Sequence, residues 1–467
     1  MDKNSLPSQH GAVVARLGVT ALLGLTFAST QAWANNLEQK ADPAITAAVK
    51  SINAAAIEAD IEKLVSFGTR STLSAQDPDS IAAGHGIGAA REWLKSRFEA
   101  DAQACGGCLE VKTDAFTQEP GPRVPLPTTL TNIYAVLKGT DPNWTQRIVL
   151  VTGHYDSRRT DVLDAEGDAP GANDDASGTA VSLESAHALA AAGKLKLRAT
   201  LVFLTVPGEE QGLFGARHFA QMAKEAGWNI EAVLNNDIVG GDQSPGQDAR
   251  VVRVFSEGLP SAADDKEIKL IRAVGGENDS RSRELARYVT EIGASYSPGV
   301  KPLMEFRPDR YLRGGDHTAF NDQGYAAVRF SEYRENFNHQ HQNLRTEGGI
   351  EYGDTLKFVN FDYVAKVARL NATTLAALAA APAPPTEVKL VTSGLDNNST
   401  LKWQPSDGAS GYEVLWRVTT APTWEHVETA SGTTATLKVS KDNVIFAVRA
   451  VDAAGHKSLS VEPVPER

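Results

Sequence analysis

Short apolar runs that end in acidic or imidazole side chains constrain this chain most. Residues 148–152 (IVLVT) lead into Gly153-His154-Tyr155-Asp156. Residues 199–205 (ATLVFLT) lead into Val206-Pro207-Gly208-Glu209-Glu210, and residues 232–235 (AVLN) into Asn236-Asp237. A later run covers residues 326–330 (AAVRF). Helical periodicity fills the intervals, at residues 178–192 and 215–226. Strands of this length alternating with helices predict an open α/β sheet, mixed and mostly parallel, with helices on both faces in a three-layer α/β/α arrangement. Upstream, residues 45–67 and 88–98 have helical spacing, and residues 120–127 form a proline-rich loop.

The two ends differ in character from this middle. Residues 17–26 (LGVTALLGLT) are apolar but too short to span a bilayer. Ala32-Trp33-Ala34 then supplies small residues at the positions a signal peptidase reads. Residues 1–34 are therefore expected to be a cleaved signal peptide, leaving a secreted or periplasmic protein with no membrane segment in its mature form. In an oxidising compartment, Cys105 and Cys108 are expected to form a local disulfide across a turn. Residues 35–375 form the main domain. Residues 376–385 (AALAAAPAPP) read as an Ala/Pro spacer. Residues 386–467 carry short alternating strands at 401–403, 412–416, 435–439 and 445–449, which predict a small all-β sandwich. The formal charge is −12, which argues against a nucleic-acid binder.

The chemistry sits just past the strands, where open α/β sheets gather ligands. His154 leaves a buried strand, and Asp156 follows on the same side, suited to hold the second imidazole nitrogen of a metal-bound histidine. Asp174 and Asp175, in Gly171-Ala172-Asn173-Asp174-Asp175-Ala176-Ser177-Gly178, precede a helix; they read either as metal ligands or as a helix N-cap. Paired Glu209 and Glu210 after an apolar strand suggest that one binds a metal and the other handles a proton. Asp237 ends a further strand. Downstream lie Asp316-His317 and His339-Gln340-His341. Arg307, Arg310, Arg313, Arg329 and Arg334 cluster near these late motifs, read as surface charge and ion pairing or as a carboxylate anchor.

Taken together and in order, GHYDS, GANDDASGTA, PGEEQGLFG, NNDIVG, GGDHTAF and NHQHQ resemble the co-catalytic zinc aminopeptidases of clan MH. That group also holds secreted bacterial leucyl aminopeptidases, glutamate carboxypeptidases and glutaminyl cyclases. The resemblance spans roughly residues 130 to 375. It implies a site for two zinc ions: His154 and Asp237 on one, Glu210 and His339 on the other, Asp174 bridging, with His341 the alternative to His339. It further implies Glu209 as general base, Asp156 orienting His154, and Asp316-His317 as outer support. The implied reaction is removal of the N-terminal residue from a peptide or protein with a free N-terminus, through a metal-bridging hydroxide. Cyclase or carboxypeptidase chemistry on the same fold, and a non-catalytic binding protein, are the alternatives. The tail resembles a fibronectin type III domain through Trp403, the segment from Gly411 to Val414 and the segment from Phe446 to Asp452; it is a candidate for surface or polysaccharide contact.

Overall fold

The computed structural model describes residues 39–143, 145–193 and 195–466. The expected signal peptide lies outside them. No helix among the described residues is long and apolar enough to cross a membrane.

Eight strands form the main sheet: β1 (Leu109–Gln118), β2 (Thr128–Leu137), β3 (Ile148–His154), β4 (Thr200–Val206), β5 (Ile230–Asn236), β6 (Val251–Ser256), β7 (Lys301–Glu305) and β8 (Ala327–Glu332). Their spatial order is β1-β2-β4-β3-β5-β8-β6-β7. The centre, β4-β3-β5-β8, is parallel throughout. Antiparallel pairings attach β2 and its hairpin partner β1 on one side and β6 on the other. The mixed, mostly parallel expectation thus holds for the core of the sheet. The β1–β2 hairpin is the part the apolar pattern does not announce, because β1 is an edge strand that mostly alternates half-buried with exposed residues.

Alternation along the strands divides the core between two helical layers. Val149, Val151, Leu201 and Phe203 face the layer built from helices Ala54–Val65, Gly86–Ala104, Ala176–Ala191 and Phe361–Ala380. Ile148, Leu150, Val202 and Leu204 face helix Phe214–Glu225 and the short helix His317–Asn321. Helix Ala176–Ala191 is buried along nearly its whole length. It lies so close to the sheet that a Cβ on Gly178 would stand 2.1 Å from the Asn236 carbonyl oxygen, and one on Gly153 would stand 2.4 Å from the Gly178 carbonyl carbon. These two glycines let the helix start descend onto the strand ends.

Two expectations for the rest of the chain need comment. Cys105 and Cys108 are disulfide-bonded, as expected. The Ala/Pro spacer is a correction: Ala376–Ala380 is the buried last stretch of helix Phe361–Ala380, so only the residues around Pro382–Pro385 connect the two parts. Alanine is a strong helix former, and here its small side chains allow close packing. Arg147 fixes the connection by donating to the carbonyls of Ala381 (3.0 Å) and Pro382 (3.3 Å).

The tail forms a four-stranded and a three-stranded sheet. Their inner faces meet in one cluster holding Leu401, Trp403, Val414, Phe446 and Val448. The sandwich docks on helix Arg281–Tyr296 through buried charge. Arg417 and Arg287 both pair with Asp279, Arg449 Nη1 lies 2.6 Å from Glu291, and Trp424 Nε1 donates to Glu284 at 3.1 Å. Asp279 and Glu284, with Glu462, also form a carboxylate group compact enough to hold a cation. Arg287 and Arg417 already occupy that role.

Candidate metal centre

The four parallel central strands end on the same edge, and each delivers part of the site. β3 ends at His154. The loop after β3 brings Asp174 to the start of helix Ala176–Ala191. The turn after β4 carries Glu209 and Glu210 on the one-turn helix Glu209–Gly212. Asp237 directly follows β5, and the loop after β8 carries His339 and His341.

Six of the seven expected site residues meet here. His154 Nε2 is 3.2 Å from Asp174 Oδ1 and 4.0 Å from Asp237 Oδ1. The other oxygen of Asp174 is 2.9 Å from His341 Nε2, which is itself 3.1 Å from Glu210 Oε1. Asp174 therefore stands between two three-residue sets, His154/Asp174/Asp237 and Asp174/Glu210/His341, each with donor atoms close enough to surround one ion. Asp156 Oδ1 lies 3.3 Å from His154 Nδ1. It also accepts from Thr72 Oγ1 at 2.9 Å and from the backbone N–H groups of Glu209 and Glu210 at 3.3 Å each, so one carboxylate ties two motif loops together.

His339 is the correction. Its Nδ1 bonds Asp242, and its ring stacks on Phe358 with centroids 3.5 Å apart, which turns it out of the cluster. His341 takes the place expected for it, at a left-handed φ of 54°. Histidine is among the non-glycine residues that adopt this state more often than most, but His339 and His341 share that tendency, so residue type does not choose between them.

The two aspartates left open between ligation and capping divide the tasks. Asp174 enters the cluster, while Asp175 accepts from the N–H groups of His154 (3.0 Å), Gly178 (3.0 Å) and Ile238 (3.2 Å). It is the N-cap of the helix and a brace between β3 and β5 at once. Two supporting residues carry no sequence signature. Asp354 accepts the N–H groups of Asn173 (2.8 Å) and Asp174 (2.7 Å). Buried Arg70 donates to the carbonyls of Tyr155, Pro170 and Gly171. Arg329 Nη2 sits 2.7 Å from Asp237 Oδ1; a charged residue inside the apolar run of β8 was the available signal. Asp316 is fully buried, neither carboxylate oxygen has a hydrogen-bond partner, and burial pushes it up to about 8. His317 bonds the Pro308 carbonyl at 2.8 Å.

The charge balance is that of a cation site. Burial alone would lower the His341 imidazole, but Glu210 and Asp174 outweigh it and push it up to about 10. Burial likewise opposes protonation of His154, and Asp175, Asp156 and Asp174 overcome it. Asp237 Oδ2 is buried without a hydrogen-bond partner. Imidazole and carboxylate donors are ordinary zinc ligands, and the residues present fit such an ion. Burial also raises the Glu209 carboxyl well above its usual range, opposed by His154 and reinforced by Asp237 and Glu210. Glu209 makes no ion pair or side-chain hydrogen bond among the described residues, and it lines a cavity of about 600 Å³ above the cluster.

The profile of peptidase family M28 matches residues 132–353, which contain every residue of this cluster. Two fungal proteins described as probable zinc metalloproteases align over most of the chain. That of Pyrenophora teres f. teres is 44% identical, covering 91% of this chain and 88% of its own. That of Pyricularia oryzae is 46% identical, covering 91% and 86%. The LapA aminopeptidase of Legionella pneumophila shares the fold, with a TM-score of 0.51, 19% identity and coverage of 78% of this chain and 80% of that one. The fold and the site together define a peptidase. The chain belongs to peptidase family M28.

Proposed function

We propose that the protein is an exported dizinc aminopeptidase that removes the N-terminal residue of peptides. The observation that carries this reading is Asp174, whose two oxygens face different histidines in two adjoining three-residue sets. His154, Asp174 and Asp237 would hold one zinc, and Asp174, Glu210 and His341 the other. Zinc in such a setting lowers the pKa of bound water to about 7 and polarises the scissile carbonyl.

The chain's own groups do the rest. Glu209 takes the proton of the attacking water and returns it to the leaving amine; its raised proton affinity suits both transfers. Asp156 holds His154 through Nδ1, so that Nε2 faces Asp174. Asp175 and Asp354 anchor the backbone on either side of Asp174 through N–H groups. Glu209, the carboxylate of this cavity outside both metal sets, is the group placed to meet a free ammonium, in a lining that also carries Arg123, Arg158, Arg310 and Arg313.

Three of the five arginines weighed as a carboxylate anchor lean the same way. Arg310 and Arg313 at this cavity both pair with Glu335, at 3.1 and 3.0 Å, and Arg329 pairs with Asp237. A carboxypeptidase would need such groups free. The test is metal analysis of the purified protein alongside matched peptides with free, acetylated and pyroglutamyl-forming N-termini. Two metal equivalents and release of the first residue from free peptides alone are expected. One equivalent with cyclisation of N-terminal glutamine would replace this reading with the cyclase. N-terminal sequencing of the exported protein, expected to begin at Asn35, tests the leader.

A further inference from the structure

The cleft does not stop at the metal cluster. A second cavity, about 780 Å³, adjoins the first across Arg310, Arg313 and Phe337, which line both. Four aromatic rings stand exposed along it: Phe306 (43%), Tyr311 (75%), Tyr333 (44%) and Phe337 (66%). Clustered exposed apolar surface of this kind marks binding grooves on soluble proteins.

This second cavity carries an excess of cationic side chains. Arg253, Arg310 and Arg313 converge on the single carboxylate of Glu335. Buried Asp309 behind the wall takes part of the Arg310 charge. Arg307 and Arg334 are exposed on the same wall and make no ion pair among the described residues; Arg307 lies over the Tyr311 ring at 5.3 Å. The lining thus sets five arginines against Glu305 and Glu335, on a chain whose formal charge is −12. A local cationic strip on an acidic protein selects ligands by electrostatic complementarity.

We propose that this second cavity seats the part of a peptide substrate downstream of the scissile bond and selects acidic side chains there. The inference rests on the aminopeptidase reading. The first cavity, with Glu209 at its edge, receives the ammonium end, and an extended chain advancing about 3.3 Å per residue carries its next few residues over the arginine and aromatic wall. Arg307 and Arg334 are the specificity-determining residues; they lie outside the metal cluster.

The test compares Leu-Gly-Glu-Glu, Leu-Gly-Gly-Gly and Leu-Gly-Lys-Lys on the metal-loaded full chain, with leucine p-nitroanilide as a substrate confined to the first cavity. The acidic peptide is expected to show a KM about tenfold below the basic one at about 50 mM salt, with the gap closing towards about 500 mM. The double variant Arg307→Ala/Arg334→Ala should abolish most of that gap while leaving kcat and KM on the anilide unchanged. Equal KM values for the three peptides, or a preference that survives in the variant, would overturn the proposal. Fluorescence anisotropy of Leu-Gly-Glu-Glu labelled at its C-terminus reads binding without turnover. If no peptide loses its first residue, the aminopeptidase reading fails. Tighter binding to the wild type than to the variant would still support the arginine-lined groove, and equal binding would sink it.

Discussion

Replacing His341 and His339 one at a time separates two residues of the same type two positions apart. His341→Ala removes the imidazole that lies 2.9 Å from Asp174 and 3.1 Å from Glu210. One ligand set then falls from three protein donors to two, and two carboxylates are left facing each other. Loss of a mere outer partner typically costs about 10–100-fold in metal affinity, so loss of a direct donor should exceed that. One metal equivalent should be lost on dialysis, and the other should stay with His154, Asp174 and Asp237. Turnover should fall by about 10²-fold or more, matching the several kcal/mol a catalytic metal supplies. His339→Ala removes instead a bond to Asp242 and a stack on Phe358. Those contacts are worth about 1.5–3 and about 0.5–1.5 kcal/mol. Stability should drop by about 2–4 kcal/mol with both metals retained. Elemental analysis after dialysis and urea unfolding measure the two quantities. Full metal content in His341→Ala, with metal loss in His339→Ala, would refute the assignment.

Glu209→Gln should keep both metals and lose about 10²–10⁴-fold in kcat, because the transfer group goes while the donor set stays; near-normal turnover in steady-state assays would remove Glu209 from the proton path. Asp279→Ala should cost about 3–5 kcal/mol in urea unfolding, since it removes the carboxylate paired with buried Arg417, 3% exposed, and one of the carboxylates paired with Arg287. A change under about 1 kcal/mol would mean that water or another group already serves those cations. Burial, opposed by Arg97, pushes Asp60 up to about 7 from an unfolded value near 4. Its contribution to stability is therefore fully present below about pH 4 and is lost as pH rises through about 7. Asp60→Asn should be less sensitive than the wild type between about pH 4 and pH 7, and parallel pH profiles in thermal melts would contradict this.

Much of the site was legible because its residues follow strands whose apolar runs are unmistakable. His154, Glu210 and Asp237 stand at or just beyond the ends of β3, β4 and β5 because the parallel centre of the sheet puts those ends on one edge. The choice between His339 and His341 was not legible. It depends on a left-handed backbone turn and on Phe358, which approaches from a later loop. Asp354 and Arg70 were invisible for a related reason: each acts on backbone groups of distant loops, and no local pattern encodes such a partner. The alanine-rich stretch was misread because prolines and alanines together suggest a spacer, whereas tertiary packing claims the alanines and leaves only the prolines as connection. The arginine cluster was half legible. The residues were evident, but which of them find a carboxylate depends on Glu335 and Asp309 arriving between them.

The sandwich meets its neighbour through guanidinium groups sealed from water, and that makes it hard to lose. A chain severed near Pro385 would bare Asp279 just before helix Arg281–Tyr296 and Glu284 and Glu291 on it, and deprive them of Arg417, Trp424 and Arg449. That helix packs against β8, the strand from which Arg329 reaches Asp237. Proteolytic maturation that discards the tail would thus disturb ground under the hydrolytic centre, so the appendage behaves as a keel rather than as detachable cargo.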